Sequence, residues 1–493
     1  MVIAVLVSVP LGVLAAWRHG GWLDRALMGF SVLGFSVPVF VLAYLLIWLF
    51  SLELGWLPVQ GYARIADGIW NFLRHLILPA TTLSVIYIAL IARVTRAAVL
   101  EALGEDYIRT ARAKGLRERR VLVRHALANA AVPIATVIGI GIAILIGGVV
   151  VTESVYAIPG LGRLTVDAVL ARDFPTIQGG EPAHRSLVRV PRPAHPLLMV
   201  WRNWSVRIGG AALIALVLLA IAAPWLGTVD PTLFDAASRD LRPGEVGSVT
   251  MLDGETVAHR FLMGSDSYGR DIYSRVLYGT RVSFAVGLVA ALAALALGIA
   301  AGLVAGYIRW ADGLLMRVMD GIMAIPAILI AIAVVALWRA SLATVIVAIA
   351  IPEIPRVTRL VRALVLTIRE EPYVEAAVSL GTPTMKIMLG HILPNTVAPL
   401  LVQGTYICAF AILLEAILSF LGVGLPPDIP TWGNIMAEGR VQFVAYPHNV
   451  FFPGLFLAVT VLAVNMLGDG LRDTLDPKLA EARASAQVLD EHA

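Results

Sequence analysis

EEPYVEAAVSLGTPTMKIMLGHILPNTVAP, residues 370–399, is a polar stretch set between long apolar runs, and the chain contains it twice. The other copy is EDYIRTARAKGLRERRVLVRHALANAAVP, residues 105–133. Tyr107, Ala111, Gly115, Asn129 and Pro133 correspond to Tyr373, Ala377, Gly381, Asn395 and Pro399, each pair 266 residues apart. One ungapped offset held over five identities marks an internal repeat.

Each copy predicts a short helix, a glycine break and a second helix running into an apolar segment. Gly115 and Gly381 permit a turn that a residue with a Cβ resists. Pro383 falls where a first-turn proline is tolerated. One copy alone would read as a solvated amphipathic connector between membrane helices. Two copies at identical spacing suggest two equivalent surfaces presented to two equivalent partners.

Composition fixes the class. Hydrophobic residues make up 59% of the chain and charged residues 15%, against about a quarter charged in an average soluble domain. Such an apolar excess faces lipid or other membrane helices. The single cysteine, Cys408, lies in an apolar run, which excludes a disulfide framework and a Cys-based metal site and predicts a buried, inert thiol. No G-x-x-x-x-G-K-[ST] motif occurs, so the chain has no P-loop for ATP. No H-E-x-x-H occurs, no cluster of His and carboxylates sits on one span, and no nucleic-acid module is present.

The first half predicts four spans: Met1 to Trp17, Leu27 to Leu54 with Pro38 inside, Leu76 to Ala92, and Ala130 to Val151. The first is short of the roughly 20 residues a bilayer crossing needs. It lacks the basic flank and cleavage site of a signal peptide, and reads as a membrane helix missing its start. Arg93, Arg96, Arg109, Arg112, Lys114, Arg117, Arg119, Arg120 and Arg124 place the first repeated motif in the cytoplasm, and Arg18 to Arg25 place the turn two crossings earlier there too. The fourth span then ends outside. The basic, Pro-rich linker 180–207 asks for the cytoplasm, so one crossing is missing between them.

The second half predicts six spans: Ile208 to Leu226, Val286 to Tyr307, Val318 to Leu337 with Pro326 as a kink, Leu342 to Leu364, Ala398 to Leu421 and Val450 to Leu467. Residues 227–281 form a long external segment, and Asp469 opens a charged cytoplasmic tail whose end, 477–493, frays. The domain plan is therefore 1–179, linker 180–207, 208–476 and tail 477–493. Both motifs face the same side, so the repeats are parallel, which suggests two halves about an axis along the membrane normal with a path between them. Polar candidates for its lining are few. Glu153 and Glu415, followed by GLG (Gly160, Gly162) and GVG (Gly422, Gly424), are related by an offset of 262, and Glu353 lies between two prolines. Carboxylates at membrane depth are functional candidates; local capping or pairing at the interface is the alternative for each.

Glu375-Ala376-Ala377, three residues, then Gly381, resembles the EAA loop of permease subunits of bacterial ATP-binding-cassette importers. The first copy has Arg109 where the second has Glu375, a departure similar to one of the two permeases of the dipeptide, oligopeptide and nickel group. LGWLPVQGY (54–62) resembles the external loop of the peptide-permease group, and GLGRLTVDAVLARDFPTIQG (160–179) resembles the segment before the last helix of its first permease. MGSDSYGRDIYSRVLYGTRVSF (263–284) resembles the signature of its partner permease, carried by Asp266, Gly269, Arg270, Asp271, Ser274, Arg275, Gly279, Arg281 and Ser283. Its Asp and Arg residues read as mutually satisfied pairs capping the next span rather than as catalytic groups.

The resemblance implies an all-α polytopic protein with the type I ABC importer transmembrane fold, its two repeats of about four and six spans being a first permease, incomplete at both ends, joined to its partner. A fusion or a frameshift between codons 179 and 205 would explain the missing crossing. It also implies that Tyr107, Ala111 and Gly115, with Tyr373, Glu375, Ala376, Ala377 and Gly381, form coupling helices for two ABC ATPase subunits, which carry the ATP and Mg. The chain itself would bind no cofactor. An extracytoplasmic solute-binding protein would deliver a peptide, nickel or a similar solute through the bacterial inner membrane, and another permease subunit could be needed. An ion-coupled secondary transporter and a non-functional fused remnant are the alternatives.

Overall fold

A chain crossing lipid must satisfy its backbone hydrogen bonds internally, so long apolar runs become helices. The computed structural model describes residues 1–146, 150–160, 203–251 and 253–475. Among them six helices are long and apolar enough to cross a membrane: Ile69–Leu103, Glu118–Ile142, Trp204–Trp225, Ile272–Tyr307, Thr384–Phe420 and His448–Arg472. A seventh candidate is a bent pair, Arg309–Ala324 with Ala327–Leu337, at 89°. The chain divides into two compact units, Met1–Gly180 and Glu181–Ala493.

The first unit comprises α1 (Val2–Trp17), α2 (Trp22–Ser36), α3 (Val39–Ile47), α4 (Ile69–Leu103), α5 (Asp106–Ala113), α6 (Glu118–Arg120), α7 (Leu127–Ile146) and α8 (Val150–Val155). Helices α1, α2 and α7 pack along α4. The second unit comprises α9 (Trp204–Ala222), α10 (Ile272–Tyr307), α11 (Arg309–Ala324), α12 (Ala327–Leu337), α13 (Leu342–Ala350), α14 (Ile354–Ile368), α15 (Pro372–Ser379), α16 (Thr384–Ile387), α17 (Val397–Phe420), α18 (Trp432–Gly439) and α19 (His448–Leu475). Here α10 packs along α14 and α17, and α19 packs against α9 and α17.

The repeat reaches into packing detail. A Cβ on Gly12 of α1 would lie 2.7 Å from the Ala92 carbonyl and 2.7 Å from Thr95 Cβ. A Cβ on Gly302 of α10 would lie 2.8 Å from the Thr358 carbonyl and 2.6 Å from Val361 Cβ. Ala92 and Thr358, like Thr95 and Val361, are 266 apart. In both units the glycine lets two backbones approach more closely than any other residue would allow. Before the long helices α7 and α17 stand matching π-wound turns, Val121–Ala126 and Met388–Ile392.

Several expected spans are broken. Pro38 and Pro326 end one helix and open the next at extended ψ values of 139° and 132°. Leu27 to Leu54 and Val318 to Leu337 are therefore not continuous helices. Proline lacks the N–H that would continue the ladder, and its preceding residue is pushed to extended backbone. Leu342 to Leu364 is likewise two helices, α13 and α14, joined by a 3-10 turn at Ile351–Glu353 that holds Pro352. The expected tail start at Asp469 is instead helical, since α19 runs on to Leu475.

Among the described residues, segment 227–281 contributes the exception to an otherwise helical plan: an antiparallel hairpin of Val246–Thr250 and Thr256–Arg260, in register Val246 with Arg260. Asp235 fastens it, accepting from Ser248 Oγ at 2.9 Å and from the Ala237 amide at 2.9 Å. The missing crossing, most of the linker and the tail 477–493 lie outside the described residues, as does Gly162.

Candidate functional site

The two repeated motifs fold alike. In α5, Ile108 and Ala111 face inward onto a core with Val121 and Ala126. In α15, Val374 and Ala377 face a core with Ile387, Met388 and Ile392. The three-residue spacing puts each pair on one helix face. Gly115 and Gly381 both stand at φ 74°. Beyond them the Leu116 amide donates to the Ala111 carbonyl at 3.3 Å, and the Thr382 amide to the Ala377 carbonyl at 3.1 Å. Each helix thus ends in a Schellman motif. The alanine is small enough to bury, its carbonyl accepts the closing bond, and the glycine takes the left-handed position. Asn129 and Asn395 repeat a contact too, donating to the carbonyls of His125 at 3.0 Å and His391 at 2.7 Å.

The outward faces share geometry but not chemistry. Tyr107 and Tyr373 are similarly exposed, at 40% and 37%, and Asn395 donates to the Tyr373 hydroxyl at 3.2 Å. Around Tyr107 the exposed residues are Arg109, Arg112, Lys114 and Arg119, with Arg112 paired to Glu118 at 2.9 Å. Their counterparts in the second copy are Glu375, Val378, Leu380 and Met385, of which Leu380 is 85% and Met385 64% exposed. Ala376 is also exposed. The expected equivalence of the two surfaces therefore holds for the backbone and fails for the side chains: one face is basic, the other largely apolar.

The three candidate carboxylates, Glu153, Glu353 and Glu415, stand in different surroundings. Glu415 of α17 is fully buried and accepts from Ser419 Oγ at 2.9 Å. Glu353 is buried at the 3-10 turn and takes Arg356 at 2.7 Å, the local pairing. Glu153 borders a cavity of about 410 Å3 in the first unit, with Leu76, Leu83, Ser84 and Thr152. The turns that end the two helices stand at an offset of 265 rather than 262. The Ile158 amide donates to the Glu153 carbonyl past Ala157 at φ 53°, and the Val423 amide to the Leu418 carbonyl past Gly422 at φ 81°. Matched by these turns alone, Glu153 corresponds to Leu418, three residues after Glu415.

In the external signature, Asp266 is the centre. One of its oxygens accepts from the Tyr268 and Arg270 amides at 2.9 and 3.0 Å. The other accepts Arg270 Nε and Arg275 Nη1, both at 2.7 Å. Arg275 is 1% exposed and also donates to Glu438 of α18 at 2.5 Å, where Arg270 joins it. Asp271 caps α10, accepting from the Ser274 amide at 2.9 Å and from its hydroxyl. Gly269, at φ 79°, passes so close to the Asp235 backbone that a Cβ would collide with it. The expected mutual pairing holds for Asp266 with Arg270 and Arg275 and not for Asp271, which caps α10 without an arginine, nor for Arg281, which donates to the Ala220 carbonyl; the Asp266 network is a clamp between segment 227–281 and α18. Glu438 was not foreseen; its place in the cluster depends on a contact 168 residues from Arg270, which local reading does not reach. Among the described residues no group of three or more His, Cys, Asp or Glu side chains is placed to hold a metal ion.

Two helical units of one plan, with spans, broken pairs and a repeated helix–glycine–helix motif, define a polytopic membrane transport subunit. The model of the family described as binding-protein-dependent transport system inner membrane component matches the chain twice, over residues 8–228 and 294–481. The chain belongs to that family, whose members are transport permeases of the inner membrane. The first match runs through α9, which the structure packs on α19 in the second unit. Similar proteins include a probable peptide ABC transporter permease protein of Sinorhizobium fredii, 46% identical over 298 residues, 60% of this chain and 94% of that protein. A second such protein of the same organism is 58% identical over 178 residues, 36% of this chain and 57% of that protein. A dipeptide transport system permease protein of Alkalihalophilus pseudofirmus is 40% identical over 279 residues, 56% of this chain and 87% of that protein.

Proposed function

We propose that this permease carries peptides inward and that α5 and α15 are its coupling helices, each docked on one of two ABC ATPase subunits that bind the ATP and Mg. The observation that carries this reading is the doubled geometry: two short helices, each rooted by a buried pair, ended at φ 74° and presenting an exposed tyrosine face. A rooted helix with a free outer face transmits a push into its own unit. An extracytoplasmic binding protein delivers the solute on the side of the hairpin. ATP binding and hydrolysis on the partners shift the chain between two states, since only contacts that differ between states can move such an equilibrium. The peptide relatives favour peptide over nickel as the solute. The test is reconstitution with candidate ATPases and binding protein, following uptake of a labelled dipeptide and ATP consumption. Gly381→Val should leave hydrolysis running while uptake stops. Normal coupled uptake in that variant would remove α15 from the coupling role.

A further inference from the structure

Eleven residues before each exposed tyrosine, Tyr107 and Tyr373, stands an arginine: Arg96 on α4 and Arg362 on α14, again 266 apart. Each makes a two-pronged ion pair with an aspartate of the preceding broken helix pair. Arg96 donates Nε to one oxygen of Asp24 and Nη2 to the other, the latter at 2.8 Å. Arg362 donates Nε and Nη2 to the two oxygens of Asp312 at 2.5 and 2.7 Å. Asp24 and Asp312 belong to a second repeat at offset 288: Trp22, Asp24, Leu27, Met28, Pro38 and Ala43 match Trp310, Asp312, Leu315, Met316, Pro326 and Ala331. In each unit the aspartate lies 14 residues before the proline break, about 21 Å along a helix.

We propose that Asp24–Arg96 and Asp312–Arg362 are transmission clamps. Each fastens the helix that leads into a coupling helix to the first arm of a broken pair, and the proline is that arm's hinge. The bidentate fork fixes orientation as well as distance, so movement of α4 or α14 carries α2 or α11 with it. Across the hinge no ladder bond resists bending, because the proline has no N–H. Neighbouring contacts differ between the units: His19 joins Asp24 at 3.1 Å, whereas Asp320–Arg359 stands beside the second clamp. Only the Asp–Arg fork is common to both. A bond needed merely to hold a helix would not have to recur at fixed distances from both the coupling tyrosine and the proline.

This inference rests on the coupling role proposed above. Its test uses the full chain in complex with its ATPases in lipid vesicles, in a Cys408→Ser background. An environment-sensitive fluorophore on Leu314→Cys of α11, a position 63% exposed, reports movement of the arm on addition of ATP and vanadate, without need of a solute. The proposal expects an emission shift in the parent, loss of that shift in Asp312→Asn with the ATPases still co-purifying, and its return in the exchanged pair Asp312→Arg/Arg362→Asp. Asp24→Asn should act the same way on a label placed at Arg25, the next residue of α2. A full shift in Asp312→Asn would overturn the clamp while leaving the coupling reading intact, as would an exchanged pair that stays silent although it binds the ATPases. Failure of the parent chain to bind any ATPase would overturn both.

Discussion

At the residue scale the firmest expectation concerns Arg275. Its guanidinium is buried and serves Asp266 and Glu438 together. Removing one member of a buried ion cluster leaves the others uncompensated, a cost of about 3–5 kcal/mol. Arg275→Leu should therefore lower the melting temperature of the purified protein markedly, measured by thermal unfolding in detergent, and Arg275→Lys should recover only part of the loss because lysine has no fork. Asp235 offers a pH test. The Ala237 amide and then the Ser248 hydroxyl hold its carboxyl below the usual carboxylate range. A group depressed in the folded state adds stability above its unfolded value, about 3.9, and that contribution fades as the pH falls toward the lower folded value. The hairpin should thus loosen below about pH 4, seen as lower amide protection factors at Val249 and Val257. Asp235→Asn should show less of that acid dependence; an identical acid profile would remove Asp235 as its source.

At the element scale, the glycine contacts and the coupling faces give separate predictions. Gly302→Val places new methyls against Val361 and the Thr358 carbonyl; overpacking of this kind costs about 1–3 kcal/mol, readable as a lower unfolding temperature. On the proposed coupling role, the outer faces of α5 and α15 should respond differently to salt. Charge-mediated docking is screened within about 8–10 Å at physiological ionic strength, and apolar docking is not. Arg112→Glu should weaken ATPase retention at low salt and matter little at high salt, whereas Leu380→Asp should weaken it at both, measured by co-purification. The two helix–glycine motifs were legible in the sequence because their determinants are local: a glycine, a small residue four before it and an apolar pair three apart. The breaks at Pro38 and Pro326 were half legible, since the prolines are visible but an 89° turn depends on what packs on either side. The Asp–Arg clamps were missed although the offset of 288 was present to be read. That spacing differs from the 266 of the central motif, and only the contact shows why Asp24 and Asp312 matter.

At the scale of the whole molecule, the class was open to reading from composition and charge, because lipid leaves a chain few options. What composition could not supply was register. Glu153 and Glu415 share a sequence offset of 262, while the turns that end their helices are 265 apart. Ser238 is buried at 1% exposure, so the exposed Thr256 on the hairpin is the position for a topology label. The central claim is that one chain presents both coupling helices to the cytoplasm, where two ATPases engage them. The most direct measurement is accessibility of single cysteines at Ala113 and Ser379, both exposed, in a Cys408→Ser background, with and without bound ATPases. The account predicts that both sites label only from the cytoplasmic side, that both become protected when the ATPases bind, and that Thr256→Cys labels only from outside. Labelling of Ala113→Cys or Ser379→Cys from outside, or protection of one site without the other, would contradict it.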